Sequence, residues 1–476
     1  MSDKGIVIGA SFVSSTTCTQ TKPEIYKHKI HTCIENFQRQ QMKFLCSTIS
    51  TLLKLFLLFQ FHSTAELIRI STAVPIRIKI NGSKLIHPLT NLPFRLTGFN
   101  MGNHLHSIDA KTMLSILPGA NVVRLVVLDW DNTGNPNPST DCMTAETPFI
   151  HTSCLLRLDR QIKQITSANI WVILTDRSKY GAGADFINDP TSDVFHNATL
   201  RSNMYVMWKT IAARYLSYDY IAAYEIMSEP RDKSATFSQI HDFYSGGCAA
   251  VHSVDPRTPC MIGPGPYYKL WHFNTSMILK NDTNIIYTFD YFQPSNYIFA
   301  TANNDDGSKI SKYPSTQTCS HLYLNFAKEC CPNGNTMLKI SFDSTWHRDN
   351  FQRFAVALRT KSNVPIFMNQ WSVVRKVTKE EGRYHFVEDI ANITQQLDIG
   401  WTWWVWRGDS PKNGSSAFIY YASNGSVIVE HELVAAVKPY MSDTDTDKGK
   451  AVVPSLVDDA TLTTLVKATS SKQGCT

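Results

Sequence analysis

The sequence predicts an α/β fold, a (β/α)8 TIM barrel with a short β-hairpin before it. Eight short apolar segments, many of them rich in β-branched residues, alternate with helical patterns, which is typical of buried parallel strands joined by helices. The predicted strands are residues 94–99, 122–128, 170–174, 221–226, 260–263, 285–289, 365–368 and 401–405. A doubly wound open sheet is the main alternative. No Gly-x-Gly-x-x-Gly follows the first strand, which argues against a dinucleotide site.

The elements around these strands follow from local patterns. Residues 67–90 alternate apolar and polar side chains about an Asn81-Gly82 turn, which predicts the hairpin. Helical periodicity predicts helices over residues 152–168, 201–214, 235–252, 348–361 and 385–396. Residues 300–339 are too many for an ordinary loop and contain three cysteines, so we expect a disulfide-stapled insertion beside the active face.

Composition excludes several classes of protein. The chain has 476 residues, of which 43% are hydrophobic and 18% charged, as in a globular protein. The net charge of +6 is modest for this length, and no basic stretch is dense enough to suggest a nucleic-acid partner. We therefore interpret the charge as a solvated surface.

Residues 42–65 have the pattern of a signal peptide. Lys43 follows Met42, an apolar core spans residues 52–61, and three small residues precede Glu66. We therefore expect residues 1–41 to be a gene-model extension, 42–65 a signal peptide, 66–441 the barrel and 442–476 a flexible tail. The apolar core is short for a stable membrane span, so the expected location is extracellular. Because Lys54 interrupts the core, an uncleaved signal that anchors the protein to a membrane is the alternative.

Acceptor motifs for N-glycosylation and an even number of cysteines agree with export. Eight cysteines follow residue 65, and in an oxidising compartment they favour disulfides. Cys142 and Cys154, like Cys248 and Cys260, are close enough to staple a loop, although the sequence does not determine the pairing. No Cys-x-x-Cys or His-x-x-x-His spacing accompanies them, so we expect no metal and no cofactor. The acceptor motifs are at Asn81, Asn197, Asn274, Asn281, Asn392, Asn413 and Asn424.

Polar and aromatic residues gather where the predicted strands end. In barrels of this kind the chemistry lies at the carboxyl ends of the strands. Indole rings can cover the apolar face of a sugar, while carboxylates, amides and a guanidinium can read its hydroxyls, so this set indicates a carbohydrate site. Its members include Asn100, Arg124, Asp176, Arg177, Glu229, Asp290, Gln370, Trp371 and Trp404, and His104 is expected near the mouth of the cleft after the first strand.

Four ordered motifs resemble glycoside hydrolase family five, the cellulase family. They are Asn-Val-Val-Arg-Leu at 121–125, Tyr-Glu-Ile-Met-Ser-Glu-Pro at 224–230, Pro-Ile-Phe-Met-Asn-Gln-Trp at 365–371 and Gly-Trp-Thr-Trp-Trp-Val-Trp-Arg at 400–407. Their order and spacing match the family from about Phe94 to Arg407. The resemblance implies a retaining mechanism, in which one carboxylic acid protonates the glycosidic oxygen and a second carboxylate attacks the anomeric carbon.

The resemblance assigns roles residue by residue and also shows departures. Glu229 falls on the acid/base position, whereas Gln370 stands where the family has its nucleophile. A neutral amide is a poor nucleophile, so the covalent step loses its attacking group. Arg124 and Trp404 match the family as substrate-binding residues, and Trp371 is expected to join them. Ser228 replaces an asparagine that reads the 2-hydroxyl, and Asp290 and Phe292 replace a His-x-Tyr pattern. These three residues are also expected to bind substrate.

We expect the protein to be a monomer whose partner is a β-linked polysaccharide or oligosaccharide. Two functions of different kinds are possible toward this partner. The first is hydrolysis of O-glycosidic bonds with Glu229 as acid/base. The second is binding of glycan by a catalytically inactive relative, and a scaffold without sugar affinity is a third. Asp290, Glu380 or Glu381 could supply a replacement carboxylate. The alternative is that Asp290 pairs with a local cation and that the two glutamates are solvated.

Overall fold

Eight parallel strands close a barrel, which confirms the predicted fold class. The computed structural model describes residues 74–101, 110–129, 152–177, 194–232, 234–301, 310–323, 327–408 and 415–442. The barrel order is β3-β4-β5-β6-β7-β8-β11-β12, and β12 pairs with β3 in register Trp401 to Thr97. These strands are β3 (Thr97–Asn100), β4 (Val122–Asp129), β5 (Trp171–Arg177), β6 (Ile221–Glu225), β7 (Cys260–Ile262), β8 (Ile285–Tyr291), β11 (Ile366–Trp371) and β12 (Gly400–Trp403).

Helices cover the outside of the barrel, and each of the five predicted from the sequence is present. The predicted helix over residues 348–361 is longer and has three parts, since a π-helical segment, Phe351–Val356, joins α8 to α9. The helices are α1 (Ala110–Ile116), α2 (Thr152–Thr166), α3 (Ala198–Tyr215), α4 (Phe237–His252), α5 (Ser295–Ile298), α6 (Cys319–Tyr323), α7 (Ala327–Cys330), α8 (Ser344–Asn350), α9 (Ala357–Ser362), α10 (Arg383–Gln396) and α11 (His431–Val437).

The predicted hairpin packs at the amino-terminal end of the barrel. It consists of β1 (Lys79–Asn81) and β2 (Lys84–Ile86), joined by a turn in which Gly82 has φ +57°. Ile78, Ile80 and Leu85 pack against a buried cluster inside this end of the barrel. The buried Arg77 guanidinium anchors the hairpin, because it contacts Asp255 at 3.2 Å and donates to backbone carbonyls near the end of α3.

Two disulfides are present among the described residues. Cys319–Cys331 closes the predicted insertion, in which β9 (Ser315–Thr318) pairs antiparallel with β10 (Lys339–Phe342), so the expectation of a stapled insertion is confirmed. Cys248–Cys260 ties α4 to β7. The side chains of Cys142 and Cys154 lie outside the described part of the structure.

A small sheet that the sequence does not predict follows the last barrel strand. It contains β13 (Arg407–Gly408), β14 (Ile419–Tyr421) and β15 (Val427–Val429). Among the described residues, no helix is both long and apolar enough to cross a bilayer. Residues 1–73 and 443–476, which include the predicted signal peptide and tail, lie outside the described ranges.

Candidate active site

A buried ion pair forms the floor of the site at the carboxyl ends of the strands. Arg124 on β4 contacts Glu225 at the end of β6 through two hydrogen bonds, Nε to Oε2 at 2.6 Å and Nη2 to Oε1 at 3.0 Å. Both side chains are fully buried. Burial disfavours the guanidinium charge, but the neighbouring Glu225 and Asp290 carboxyls and Tyr268 together outweigh this effect and raise the pKa of Arg124. Arg124 is therefore a permanent, fixed cation.

The same guanidinium holds several strand ends together. Its Nη1 donates to Asn100 Oδ1 at 2.7 Å, and its Nη2 donates to Ser228 Oγ at 2.7 Å and to Thr175 Oγ1 at 3.1 Å. Asn369 on β11 donates from Nδ2 to Glu225 Oε1 at 2.8 Å. Because these residues come from β3 to β6 and from β11, the network positions the segments that carry Glu229 and Gln370.

Glu229 lies at the tip of the segment that follows β6. Its backbone has φ +47°, a left-handed conformation that is uncommon outside glycine and that often marks functional sites. Hydrogen bonds fix the backbone of this segment. The Ser228 N–H donates to the Asp176 carbonyl at 2.7 Å, and the Tyr244 and Tyr268 hydroxyls donate to the Met227 carbonyl. The Glu229 side chain is 15% exposed, and Arg231 lies 3.1 Å from its Oε2.

Gln370, Asp290 and Glu229 are brought together by β11, β8 and the segment after β6. Gln370 Nε2 donates to Asp290 Oδ2 at 2.9 Å and lies 3.4 Å from Ser228 Oγ. The Glu229 carboxyl is within hydrogen-bonding range of Asp290. Burial raises the pKa of Asp290 well above its usual range, and the neighbouring Glu229 raises it further, while Arg124 opposes the shift. Asp290 therefore holds its proton to a higher pH than an ordinary aspartate does.

The raised pKa of Asp290 predicts a pH-dependent contribution to stability. Because the pKa of Asp290 is higher in the folded protein than in the unfolded chain, its contribution is full below about pH 4 and is lost as the pH rises through the folded-state pKa. We therefore expect the unfolding free energy of the wild type, relative to Asp290→Asn, to fall as the pH rises. Urea denaturation from about pH 4 to pH 8 measures it. Asp242→Asn, at a side chain that is 73% exposed, is the control, and a difference independent of pH would contradict the prediction.

The predicted aromatic residues occupy different environments. Trp371 is fully buried and packs edge-on against Trp401 and Trp403, with ring centroids 5.3 and 4.7 Å away. Trp404 is half-buried, and so is Phe292, whose ring stacks on the exposed Phe299 at 5.7 Å. Of the three aromatic side chains predicted to bind substrate, Trp404 and Phe292 thus retain exposed surface, whereas barrel packing encloses Trp371.

The other predicted candidates either make local contacts or lie outside the described residues. Glu381 Oε2 accepts the Thr378 N–H at 2.9 Å, which caps the turn before α10, and Glu380 is exposed. His104 and the Arg177 side chain are outside the described ranges. Asp290 has the Gln370 amide and the Glu229 carboxyl as its immediate partners, and Arg124 acts on it electrostatically.

Sequence reasoning missed Glu225 and Asn369 as members of the site floor. Glu225 did carry a signal, since a charged residue inside the apolar run 221–226 is almost never buried without a partner. The partner itself could not be identified from the sequence, because Arg124 is 101 residues away along the chain.

The fold and the site place this chain among (β/α)8 barrels that carry a carboxylate at the tip after the fourth strand. The sequence profile described as Cellulase (glycosyl hydrolase family 5) matches residues 90–410, and the chain belongs to this family. The resemblance predicted from the four motifs is therefore confirmed. No curated protein matches the chain significantly.

Solved structures show the same fold at low sequence identity. The cellulose synthase subunit Z of Clostridioides difficile has a TM-score of 0.51 and 15% identity over 72% of this chain and 99% of that one. Cel5A of Thermotoga maritima, solved in complex with mannotriose, has a TM-score of 0.52 and 16% identity over 72% of this chain and 97% of its own. A third structure, described as a glycoside hydrolase, has a TM-score of 0.54 and 14% identity over 73% and 99%.

Proposed function

We propose that this protein binds a β-linked polysaccharide or oligosaccharide in the cleft above Arg124, with Glu229 as the acid/base group of the site. We further propose that it does not hydrolyse glycosides by double displacement. The observation that carries this proposal is the side chain at position 370, a neutral amide that donates to Asp290. An amide lacks the negative charge with which a carboxylate attacks the anomeric carbon, so no covalent glycosyl-enzyme forms there.

The position of Asp290 supports the same conclusion. Retaining glycosidases separate their two carboxyl groups by roughly 5–5.5 Å, and inverting enzymes separate them by roughly 6.5–9.5 Å to admit a water molecule. Asp290 and Glu229 are instead within hydrogen-bonding range of each other. This close approach fits neither of the two separations.

Hydrolysis of the same class of glycan is the second candidate function. Membership of the cellulase family favours it, and so does Glu229, which retains the family's acid/base residue with a partly exposed carboxyl. Under this alternative the wild type cleaves an activated aryl β-glycoside, and Glu229→Ala abolishes the cleavage.

Calorimetry with gluco- and manno-oligosaccharides tests the binding proposal. We expect the wild type to bind at least one of them, and Trp404→Ala to weaken binding at least about tenfold, or about 1.4 kcal/mol, because an indole face is lost. Trp404→Phe keeps an aromatic ring and should weaken binding less. If no oligosaccharide binds, the binding proposal is wrong and the protein is better explained as a scaffold without sugar affinity. Cleavage of aryl β-glucosides by the wild type, abolished in Glu229→Ala, would refute the absence of double displacement.

We also propose that the protein is secreted as a monomer after cleavage near residue 65. The signal-like segment 42–65 supports export, as do the exposed glycosylation acceptors Asn81, Asn274, Asn281 and Asn424. Expression in a eukaryotic host should yield glycosylated protein in the medium, with an N-terminus close to Glu66. Retention of Met1 in the secreted protein would contradict the proposed start and cleavage. Recovery in the membrane fraction would instead support the uncleaved anchor.

A further inference from the structure

A cleft lies on the outside of the barrel, between α4 and the connection from β7 to β8. In a (β/α)8 barrel a helix follows each strand, and these helices form an outer ring. Residues 263–284, all of which the structure describes, contain two single-turn 3-10 helices, Leu270–His272 and Thr275–Met277, and no α-helix. One side of α4 therefore lacks the helix that would ordinarily cover it, and a cleft of about 930 Å³ remains there.

The first wall of the cleft is a stripe along the exposed side of α4. It offers an aromatic ring, two hydroxyls and an imidazole, from Phe237, Ser238, Ser245 and His241. The Phe237 ring is 40% exposed. An aromatic face can cover the apolar side of a sugar ring, while hydroxyls and an imidazole can hydrogen-bond to its hydroxyl groups. The chemistry of this wall therefore suits a carbohydrate.

The second wall consists of residues 275–282 and is held in place from two directions. Met277 and Leu279 are each only 5% exposed and anchor the segment in the hydrophobic core. Asp282 Oδ2 lies 2.8 Å from Nδ1 of His252, the last residue of α4. The cleft is therefore formed in advance of any occupant, which lowers the entropic cost of binding.

Asn281 belongs to this second wall and begins the acceptor motif Asn281-Asp282-Thr283. Both Asn281 and Thr283 are exposed. Because Asn281 itself lines the cleft, a sugar bonded to its Nδ2 starts at the cleft and not at a distance from it. The position of the acceptor thus identifies the occupant.

We propose that the cleft holds an N-linked glycan carried by Asn281, with its first sugars lying along α4. This inference rests on the proposed export of the protein, because such glycans are added in the secretory pathway. The donor is a lipid-linked oligosaccharide diphosphate. A bond forms between Asn281 Nδ2 and C1 of the first sugar, the C1–O bond to the diphosphate breaks, and the amide loses one proton. Since a tethered ligand has an effective concentration of about a millimolar, weak contacts with each sugar are sufficient.

The acceptor at Asn424 provides a contrast within the same chain. It lies in the turn between β14 and β15, and Gly425 beside it faces open space, since a Cβ placed there would meet no atom within 4 Å. A glycan on Asn424 has no such wall to pack against.

Labelling of His241 with diethyl pyrocarbonate, quantified by mass spectrometry on protein secreted from a eukaryotic host, tests the inference. His241 is 31% exposed, and a glycan in the cleft covers it. A tethered ligand whose Kd equals its effective concentration is bound about half of the time, so Thr283→Ala, which abolishes the acceptor, should raise the labelling rate at least about twofold. His385 on α10, 56% exposed and outside the cleft, should react equally in both proteins.

Two further variants make the test specific to the cleft. Ser426→Ala removes the glycan on Asn424 by a matched change and should leave His241 labelling at the wild-type rate. In a Phe237→Ala background, Thr283→Ala should change the labelling less than it does in the wild type, because the sugar has already lost its aromatic contact. Glycopeptide analysis establishes which acceptors are occupied, and circular dichroism verifies that each variant is folded.

The outcomes separate failure of this inference from failure of export. If Asn281 carries a glycan and Thr283→Ala leaves His241 labelling unchanged, the glycan extends into solvent and the inference is overturned. Protection of His241 that persists in Thr283→Ala and grows with protein concentration would assign the cleft to a second copy of the chain and would also overturn it. Secreted protein that is glycosylated elsewhere but not at Asn281 would overturn the inference and leave export standing. Protein retained in the cell without any glycan would refute both.

Discussion

Gln370→Glu should convert the protein into a hydrolase of aryl β-glucosides. The substitution changes one neutral amide into a carboxylate at the end of β11, in contact with Asp290. Under the proposed function, this carboxylate supplies the attacking group for a covalent step. Because general acid catalysis and a nucleophile each contribute factors of about 100 or more, we expect a rate at least about 100-fold above that of the wild type. The steady-state release of 4-nitrophenol from 4-nitrophenyl β-glucoside measures it.

The control for this prediction is Gln395→Glu, the same chemical change at an exposed position near the end of α10. It should leave the hydrolysis rate at the wild-type level. The double variant Gln370→Glu, Glu229→Ala should lose the gained activity on glycosides with a poor leaving group, since such a group needs the acid. A folded Gln370→Glu protein that binds β-glucosides without cleaving them would show that the carboxylate cannot reach the anomeric carbon.

Arg124→Met should be the most destabilising single substitution in the site. It leaves the Glu225 carboxylate buried without its cation and removes the donors to Asn100 and Ser228. Breaking a buried pair from one side typically costs about 3–5 kcal/mol, because the remaining charge is uncompensated. We expect a loss of this size in the unfolding free energy, measured by urea denaturation monitored through tryptophan fluorescence.

Arg214→Met is the matched control, because Arg214 also pairs with a carboxylate, Asp159, but at the surface, with side chains 36% and 22% exposed. An exposed pair of this kind contributes at most about 1 kcal/mol. The double variant Arg124→Met, Glu225→Leu should recover part of the stability lost in Arg124→Met, because it no longer buries a lone charge. Equal losses for Arg124→Met and Arg214→Met would show that burial does not set the energy of the Arg124 pair.

Several parts of the molecule followed from local sequence pattern. The run 122–128 was recognisable as a buried strand because β-branched residues fill it, and the structure has β4 over Val122–Asp129. Pro230 cannot continue a strand, so the strand ends before it. Glu229 could therefore be placed at a strand tip without knowledge of the residues that surround it in space. The small sheet β13–β15 escaped prediction, because strands of two or three residues carry too little periodicity to detect.

By itself, the sequence determined the class of fold and the family, and it predicted that position 370 lacks the family's carboxylate. These properties depend on residue identity and on spacing along the chain. Only the tertiary structure decided that Glu225 pairs with Arg124, that Gln370 donates to Asp290, and that Trp371 is enclosed by packing. The physical reason is barrel closure: it sets the strand register, and the register decides which side chains from distant segments point inward and meet. Asp290 could be named from the sequence as a candidate, but its contact with the Glu229 carboxyl required β6 and β8 to be placed in three dimensions.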